Sequence, residues 1–329
     1  MRHFQLYSFF STSFTMKKIF TAISVVILLL IGIILWWAFF RPSTIIPHEK
    51  AKEKFATEHS NFINWRGAEI HYIDEGKGIP LVMIHGYGGS HRNFNKISAL
   101  LKDNFRIIRV DLPGFGLSQF PESYKNSSNL IQLYRDYMTF ILDTLQLDSV
   151  YLMGNSMGGW MAWETAVENA GRVKKLNLMC SAGYEMEKVS ERAASLLKKK
   201  YVERIFSRGM PMYFQEDAAK KCYFDESKIN KQEVKNNNTF WNTEGNIQAA
   251  FLLAGSGEKA DTTLIEKISC PTLIIWGKED EIIPVEHAYK FQNAIKGSKL
   301  IVYENCGHIP MLENTEQTAK DFLSFVKEH

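Results

Sequence analysis

Residues 150–164 read VYLMGNSMGGWMAWE. An apolar run ends in Ser156, set between Asn155 and Met157, with Gly154, Gly158 and Gly159 packed around it. A serine alone is ordinary at the start of a helix. Three glycines are not, because each gives up more chain entropy on folding than any other residue. They are expected where a strand turns sharply into a helix, the two backbones crowd, and the serine hydroxyl stands clear of the chain. Trp160, Trp163 and Val167 then share one face of the helix that the turn would open.

The apolar run before Ser156 has companions. A strand-like stretch, AEIHYIDEG at 68–76, is followed by PLVMIHG at 80–86, FRIIRVDLPG at 105–114 and KKLNLMCSAG at 174–183. Between them lies a helical stretch at 128–146, where Leu130, Leu133, Tyr137, Phe140, Ile141 and Leu145 keep near-helical spacing. Apolar strands alternating with helices predict an α/β fold whose parallel sheet is covered on both faces. The alternation stops over 186–269, where amphipathic helices carrying Met210, Met212, Phe214, Phe224, Phe240, Trp241, Phe251 and Leu252 are expected. A segment of that length is too long for a bare loop and predicts a helical lid. Its methionines and aromatics serve either as the lid's own core or as an acyl tunnel. Alternation resumes with PTLIIWG at 271–277, a helix near 285–296, KLIVYENCGH at 299–308 and a last helix.

Reactive groups in such sheets gather at the carboxyl ends of strands. Three residues sit there in the order serine, acid, histidine: Ser156, Asp280 after TLIIWGKE, and His308 in ENCGH. Glu279 and Glu281 are neighbours of Asp280 and remain alternative acids, and Asp280 also suits a turn or helix cap. His71 and His91 lack matching strand-end positions, His287 falls on a predicted helix, and His3, His48, His59 and His329 lie in linkers or near the ends. The turn HGYGGS at 85–90 can aim a backbone N–H at the serine, which makes the amides of Tyr87 and Met157 the expected oxyanion donors. His85 is read as structural, and Asp111 in DLPGFGLS as a scaffold residue.

The N-terminus departs from a soluble pattern. Ile19–Phe40 carries no charge over 22 residues, and at about 1.5 Å per residue it matches a hydrocarbon core of roughly 30 Å. Trp36 and Trp37 would sit in an interfacial belt, and the run is longer than the apolar part of a cleaved signal. A single-pass anchor in a bacterial inner membrane is expected. Lys17 and Lys18 on one flank compete with Arg41, Lys50, Lys52 and Lys54 on the other, so orientation stays open. Met16 looks a more natural start than Met1.

A net charge of +3 without a basic stripe argues against nucleic acid. The runs Lys198–Lys200 and Lys174–Lys175 are expected to be solvated. Cys180, Cys222, Cys270 and Cys306 show no metal-ligand spacing and are expected to be small buried apolar residues. No metal or cofactor is expected.

Taken together, HGYGGS, DLPGFGLS, GNSMGGW, PTLIIWGKEDEIIP and ENCGH resemble the α/β-hydrolase superfamily over residues 60–329. The anchor and the elbow-to-tail motifs are similar to membrane-anchored monoacylglycerol lipases, and the tail also to hydrolases of aromatic ring-cleavage products. The resemblance implies a mostly parallel eight-stranded sheet with helices on both faces. It also implies an N-terminal segment (1–18), an anchor (19–40), a linker (41–60), a core in two parts (61–185 and 270–329) and a lid (186–269). Epoxide hydrolases and haloalkane dehalogenases of this superfamily place an aspartate at the elbow, where this chain has Ser156. The implied activity is carboxylic-ester hydrolysis, on monoacylglycerol or similar lipid acyl esters, through an acyl-enzyme on Ser156. Carbon–carbon bond hydrolysis and a non-catalytic binding role are the alternatives.

Overall fold

Each apolar run becomes a strand, because a short segment flanked by helices on both sides must be apolar on both faces. The computed structural model describes residues 4–127, 129–185 and 204–328. Among these, eight strands form one sheet in the order β1-β2-β4-β3-β5-β6-β7-β8. They are β1 (Ser60–Trp65), β2 (Ala68–Gly76), β3 (Ile79–Ile84), β4 (Phe105–Val110), β5 (Val150–Asn155), β6 (Val173–Met179), β7 (Thr272–Gly277) and β8 (Lys299–Tyr303). β1 and β2 pair antiparallel, as do β2 and β4; every other neighbouring pair is parallel.

The helices are α1 (Phe4–Phe40), α2 (His48–Phe55), α3 (Asn95–Leu101), α4 (Leu130–Thr144), α5 (Met157–Glu168), α6 (Met212–Cys222), α7 (Lys231–Trp241), α8 (Asn246–Ser256), α9 (Glu286–Ala294), α10 (Pro310–Glu313) and α11 (Thr315–Lys327). Alternate strand residues feed two cores. Leu152, Ile274 and Trp276 pack with α4, α5 and α9, while Met153, Leu273 and Ile275 pack with α3 and α11. Each such side chain contributes about 1.5–3 kcal/mol on burial, and every residue of β5 and β7 is buried.

One expectation changes, and two segments gain detail. Lys175 is buried, not solvated: its Nζ donates to the carbonyls of Phe325 (3.2 Å) and Val326 (3.0 Å) at the end of α11. A cation is favourable there, where the last carbonyls of a helix lack partners. The neighbouring Lys174 does face solvent, and Lys198–Lys200 lies outside the described residues. The linker is also not bare. It contains α2, whose Ala51 and Phe55 pack on Leu117 and Phe240, and β1 starts at Ser60 with no strong apolar alternation to announce it. Finally, α1 begins well before Ile19. Its window Lys18–Trp37 is long and apolar enough to cross a membrane, and none of it is buried against the rest of the chain.

Between β6 and β7, where a lid is expected, the described residues form α6, α7, α8 and 3-10 turns at Glu226–Lys228 and Thr262–Lys267, and none of them joins the sheet.

Candidate active site

Ser156 stands between β5 and α5 with φ 57° and ψ −122°, a region that costs a non-glycine residue strain of order 1–3 kcal/mol. Its side chain makes no capping hydrogen bond to α5, so the hydroxyl is not spent on starting the helix. The glycines explain how the turn closes. A Cβ on Gly154 would lie 2.2 Å from the Gly158 carbonyl oxygen, and one on Gly158 would lie 2.1 Å from that of Ile84. A Cβ on Gly86 would approach Ser156 Cβ to 2.9 Å, so the HGYGGS turn lies directly against the serine.

The backbone N–H groups of Tyr87 and Met157 have no hydrogen-bond partner among the described residues. That of Met157 is the first of α5, where the helix dipole favours negative charge. His85 holds the turn. Its Nε2 accepts from the Leu112 N–H (3.0 Å), so its proton is on Nδ1, which donates to the Gly86 carbonyl (2.7 Å). Complete burial lowers its pKa and keeps the ring neutral.

At the ends of β7 and β8 the structure brings Asp280 and His308 together. His308 Nδ1 donates to Asp280 Oδ2 at 2.8 Å, and both residues are buried. The other carboxylate oxygen of Asp280 accepts from the N–H groups of Ile282 (2.8 Å) and Ile283 (2.9 Å). Glu279 is committed elsewhere, to the N–H of Cys306 (3.0 Å), and Glu281 is exposed.

Three sets of hydrogen bonds around His308 have no signal in composition or periodicity. The Asn155 amide donates to the His308 carbonyl (3.0 Å) and the Met179 carbonyl (3.1 Å), tying the serine turn to the histidine loop. The His308 N–H donates to the Cys222 carbonyl of the lid at 2.8 Å. The buried Glu313 carboxylate accepts from the N–H groups of Gly307 (2.8 Å) and Asp225 (2.7 Å), so it spans loop and lid. Cys180 sits close by: its sulfur and the facing atoms of Asp280 and His308 lie within 4.8 Å of one another. Burial raises its pKa, so the thiol stays neutral beside the carboxylate.

A second histidine–aspartate cluster lies under the sheet end. Asp111 accepts from His71 Nδ1 (2.7 Å), His91 Nδ1 (2.9 Å), the His91 N–H (2.6 Å) and the Leu117 N–H (2.9 Å). A Cβ on Gly116 would strike its carboxyl carbon at 2.3 Å. Burial alone would raise the Asp111 pKa, but His91 and His71 hold it well below the carboxylate range. Burial pushes His91 down to about 4, outweighing the attraction of Asp111. Between an unfolded value near 6.5 and that folded value, the unfolded chain binds a proton that the folded chain excludes. This group therefore removes up to about 1.4 kcal/mol of stability per pH unit lost in that window. The urea midpoint is expected to be clearly lower at pH 5 than at pH 7; equal midpoints would contradict the buried neutral imidazole.

The family model described as alpha/beta hydrolase fold matches residues 79–315. The chain belongs to the α/β-hydrolase fold family. Within it, the chain is 29% identical over 288 residues to 2-hydroxy-6-oxo-6-(2'-aminophenyl)hexa-2,4-dienoic acid hydrolase of Metapseudomonas resinovorans, covering 84% of this chain and 94% of that one. It is 27% identical over 280 residues to a monoacylglycerol lipase of Xenopus laevis, covering 81% and 82%. Among solved structures, a membrane phospholipase A superposes with a TM-score of 0.68 at 20% identity, over 95% of this chain and 98% of that one. The α/β-hydrolase assignment agrees with the mostly parallel sheet, the glycine-crowded turn after β5 and the helices between β6 and β7.

Proposed function

We propose that this α/β hydrolase is a membrane-anchored serine esterase acting on monoacylglycerols or similar lipid acyl esters. The observation that carries the reading is the buried His308–Asp280 hydrogen bond of 2.8 Å, at the same sheet end as a strained, uncapped Ser156. In this mechanism Ser156 Oγ attacks the ester carbonyl carbon while His308 Nε2 takes its proton. Asp280 fixes the Nδ1–H tautomer and stabilises the imidazolium. The amides of Tyr87 and Met157 receive the oxyanion, a contribution worth about 3–4 kcal/mol of barrier per donor. His308 then gives its proton to the departing alkoxide. Water attacks the acyl-enzyme, again losing its proton to the imidazole, and the acid leaves as Ser156 recovers its hydroxyl. The residues in these roles need no metal or cofactor for the proton transfers.

The anchor reading rests on the exposed apolar window Lys18–Trp37. It would hold the site beside lipid substrates. One observation favours a second reading, hydrolysis of a carbon–carbon bond in a ring-cleavage product by the same groups: the 29% identical relative bears the name of such an enzyme. Turnover of a chain-length series of monoacylglycerols, set against a 2-hydroxy-6-oxo-dienoate, decides between them. Turnover of the dienoate alone would remove the esterase proposal. A fluorophosphonate that fails to label Ser156 in folded protein would favour a binding protein over either enzyme.

A further inference from the structure

The anchor helix and the lid meet without slack. α1 ends at Phe40, and the chain then runs straight onto the lid. The Arg41 guanidinium donates to the Gly209 carbonyl, Arg208 Nη1 donates to the Arg41 carbonyl (3.0 Å), and the Thr44 N–H donates to the Arg208 carbonyl (2.9 Å). Two residues later the Ile46 N–H donates to the Asn242 carbonyl (2.8 Å), and Ile46 returns its own carbonyl to the Glu244 N–H (3.0 Å). Gly209 is required here, at φ 114°, because a Cβ would lie 1.9 Å from Thr44 Oγ1.

Aromatic rings continue across this junction. Trp37 stands edge-on to Phe206 at 6.5 Å, Phe206 stands edge-on to Phe214 at 5.4 Å, and Phe214 lies against Tyr213 at 4.1 Å. The series moves outward, since Phe206 is half-buried while Tyr213 keeps 58% of its surface exposed. Arg41 sits 4.3 Å above the Trp37 ring. Aromatic rings with an adjacent cation, placed where an apolar helix stops, have the composition of a membrane–water interface. Phe206 also packs on Phe251 at 5.3 Å, which leaves Tyr213 and Phe214 as the exposed apolar end of the run.

We propose that Phe206, Tyr213 and Phe214 form a second bilayer contact, seated in the interfacial layer of the leaflet from which α1 emerges. The occupant follows from continuity. If α1 is inserted, a lipid surface necessarily lies beside Trp37, and the hydrogen bonds of residues 41–46 leave the lid no length of chain with which to move away. The inference rests on the anchor reading given above. It has a consequence for the site. Tyr213 and Phe214 are in the first turn of α6, and the last residue of α6, Cys222, presents the carbonyl that holds the His308 N–H. One helix of about 16 Å thus joins the lipid-facing rings to the histidine loop.

The test uses the full chain in vesicles of phosphatidylcholine with phosphatidylglycerol. A nitroxide is placed at Phe214→Cys in a background of Cys222→Ser and Cys270→Ser, which removes the two half-buried thiols. The control label is Lys77→Cys, just before β3 at the opposite rim of the sheet. The label at 214 is expected to collide with oxygen more than with a water-soluble nickel chelate, and the label at 77 the reverse. A label at 214 as open to the chelate as that at 77 overturns the inference while leaving the anchor intact. Loss of the unmodified chain from vesicles in alkaline carbonate overturns both. Second, Tyr213→Glu combined with Phe214→Glu is expected to lower turnover of vesicle-borne monoacylglycerol at least ten-fold, with p-nitrophenyl acetate hydrolysis within two-fold. Equal effects on the two substrates count against the contact. A wild-type chain inactive on both esters refutes the esterase reading, and the depth measurement still decides this one.

Discussion

Replacing Ser156 by alanine is expected to lower kcat for ester hydrolysis by roughly 10⁴–10⁶, the scale seen when a nucleophile is removed from an intact triad. Folding should survive. Ser156 contributes no capping hydrogen bond, its carbonyl still accepts from the Trp160 (3.1 Å) and Ala182 (2.9 Å) N–H groups, and alanine adds no atoms. The backbone keeps its φ of 57°, with a strain cost that alanine shares with serine. A drop in activity with an unchanged urea midpoint therefore isolates the hydroxyl. A variant that keeps even a tenth of the wild-type rate on p-nitrophenyl esters would place the chemistry elsewhere.

The second large effect separates two aspartates that both hold histidines. Asp280→Asn is expected to cost about 10⁴ in kcat, because an amide facing Nδ1 selects the wrong tautomer and stabilises no imidazolium. The loss of stability should be small, since the Asn carbonyl can still accept from the Ile282 and Ile283 N–H groups. Asp111→Asn should show the reverse pattern. Its carboxylate is fully buried and receives two imidazole and two backbone donors. Breaking such a network typically costs about 3–5 kcal/mol. Activity per active site, counted with a fluorophosphonate titration, should stay near that of the wild type. If Asp111→Asn abolishes turnover per titrated site while Asp280→Asn does not, the relay has been assigned to the wrong carboxylate.

Much of this was legible in the letters because the relevant signals are local. The runs ending at Gly154 and Gly277 are apolar on both faces, which only a covered parallel strand accommodates. Ser156 and Asp280 each follow such a run and His308 follows the half-buried edge strand β8, so finding the strands placed the candidates. What escaped depends on distant partners. Lys175 looks like any surface lysine until the end of α11 arrives over it. His71 and His91 are far apart in sequence from each other and from Asp111; the pairing of β2 with β4 brings in His71, and the pairing of β3 with β4 brings in the turn that carries His91. α2 carries few apolar residues and forms because Ala51 and Phe55 meet Leu117 and Phe240. Glu313, five residues beyond His308, is an unremarked acid in sequence, and its two backbone partners come from separate segments.

The Glu313 clasp also bears on how this scaffold could change its diet. Cys222 is bound to the loop that carries the imidazole directly, and Phe224 and Asp225 through the Glu313 carboxylate, which also holds the Gly307 N–H. Transplanting a relative's whole cap would therefore replace the very atoms that hold the proton carrier in register. Substitutions along α7 and α8, beyond that seam, leave these hydrogen bonds in place, whereas exchanging the whole segment as a detachable part removes them.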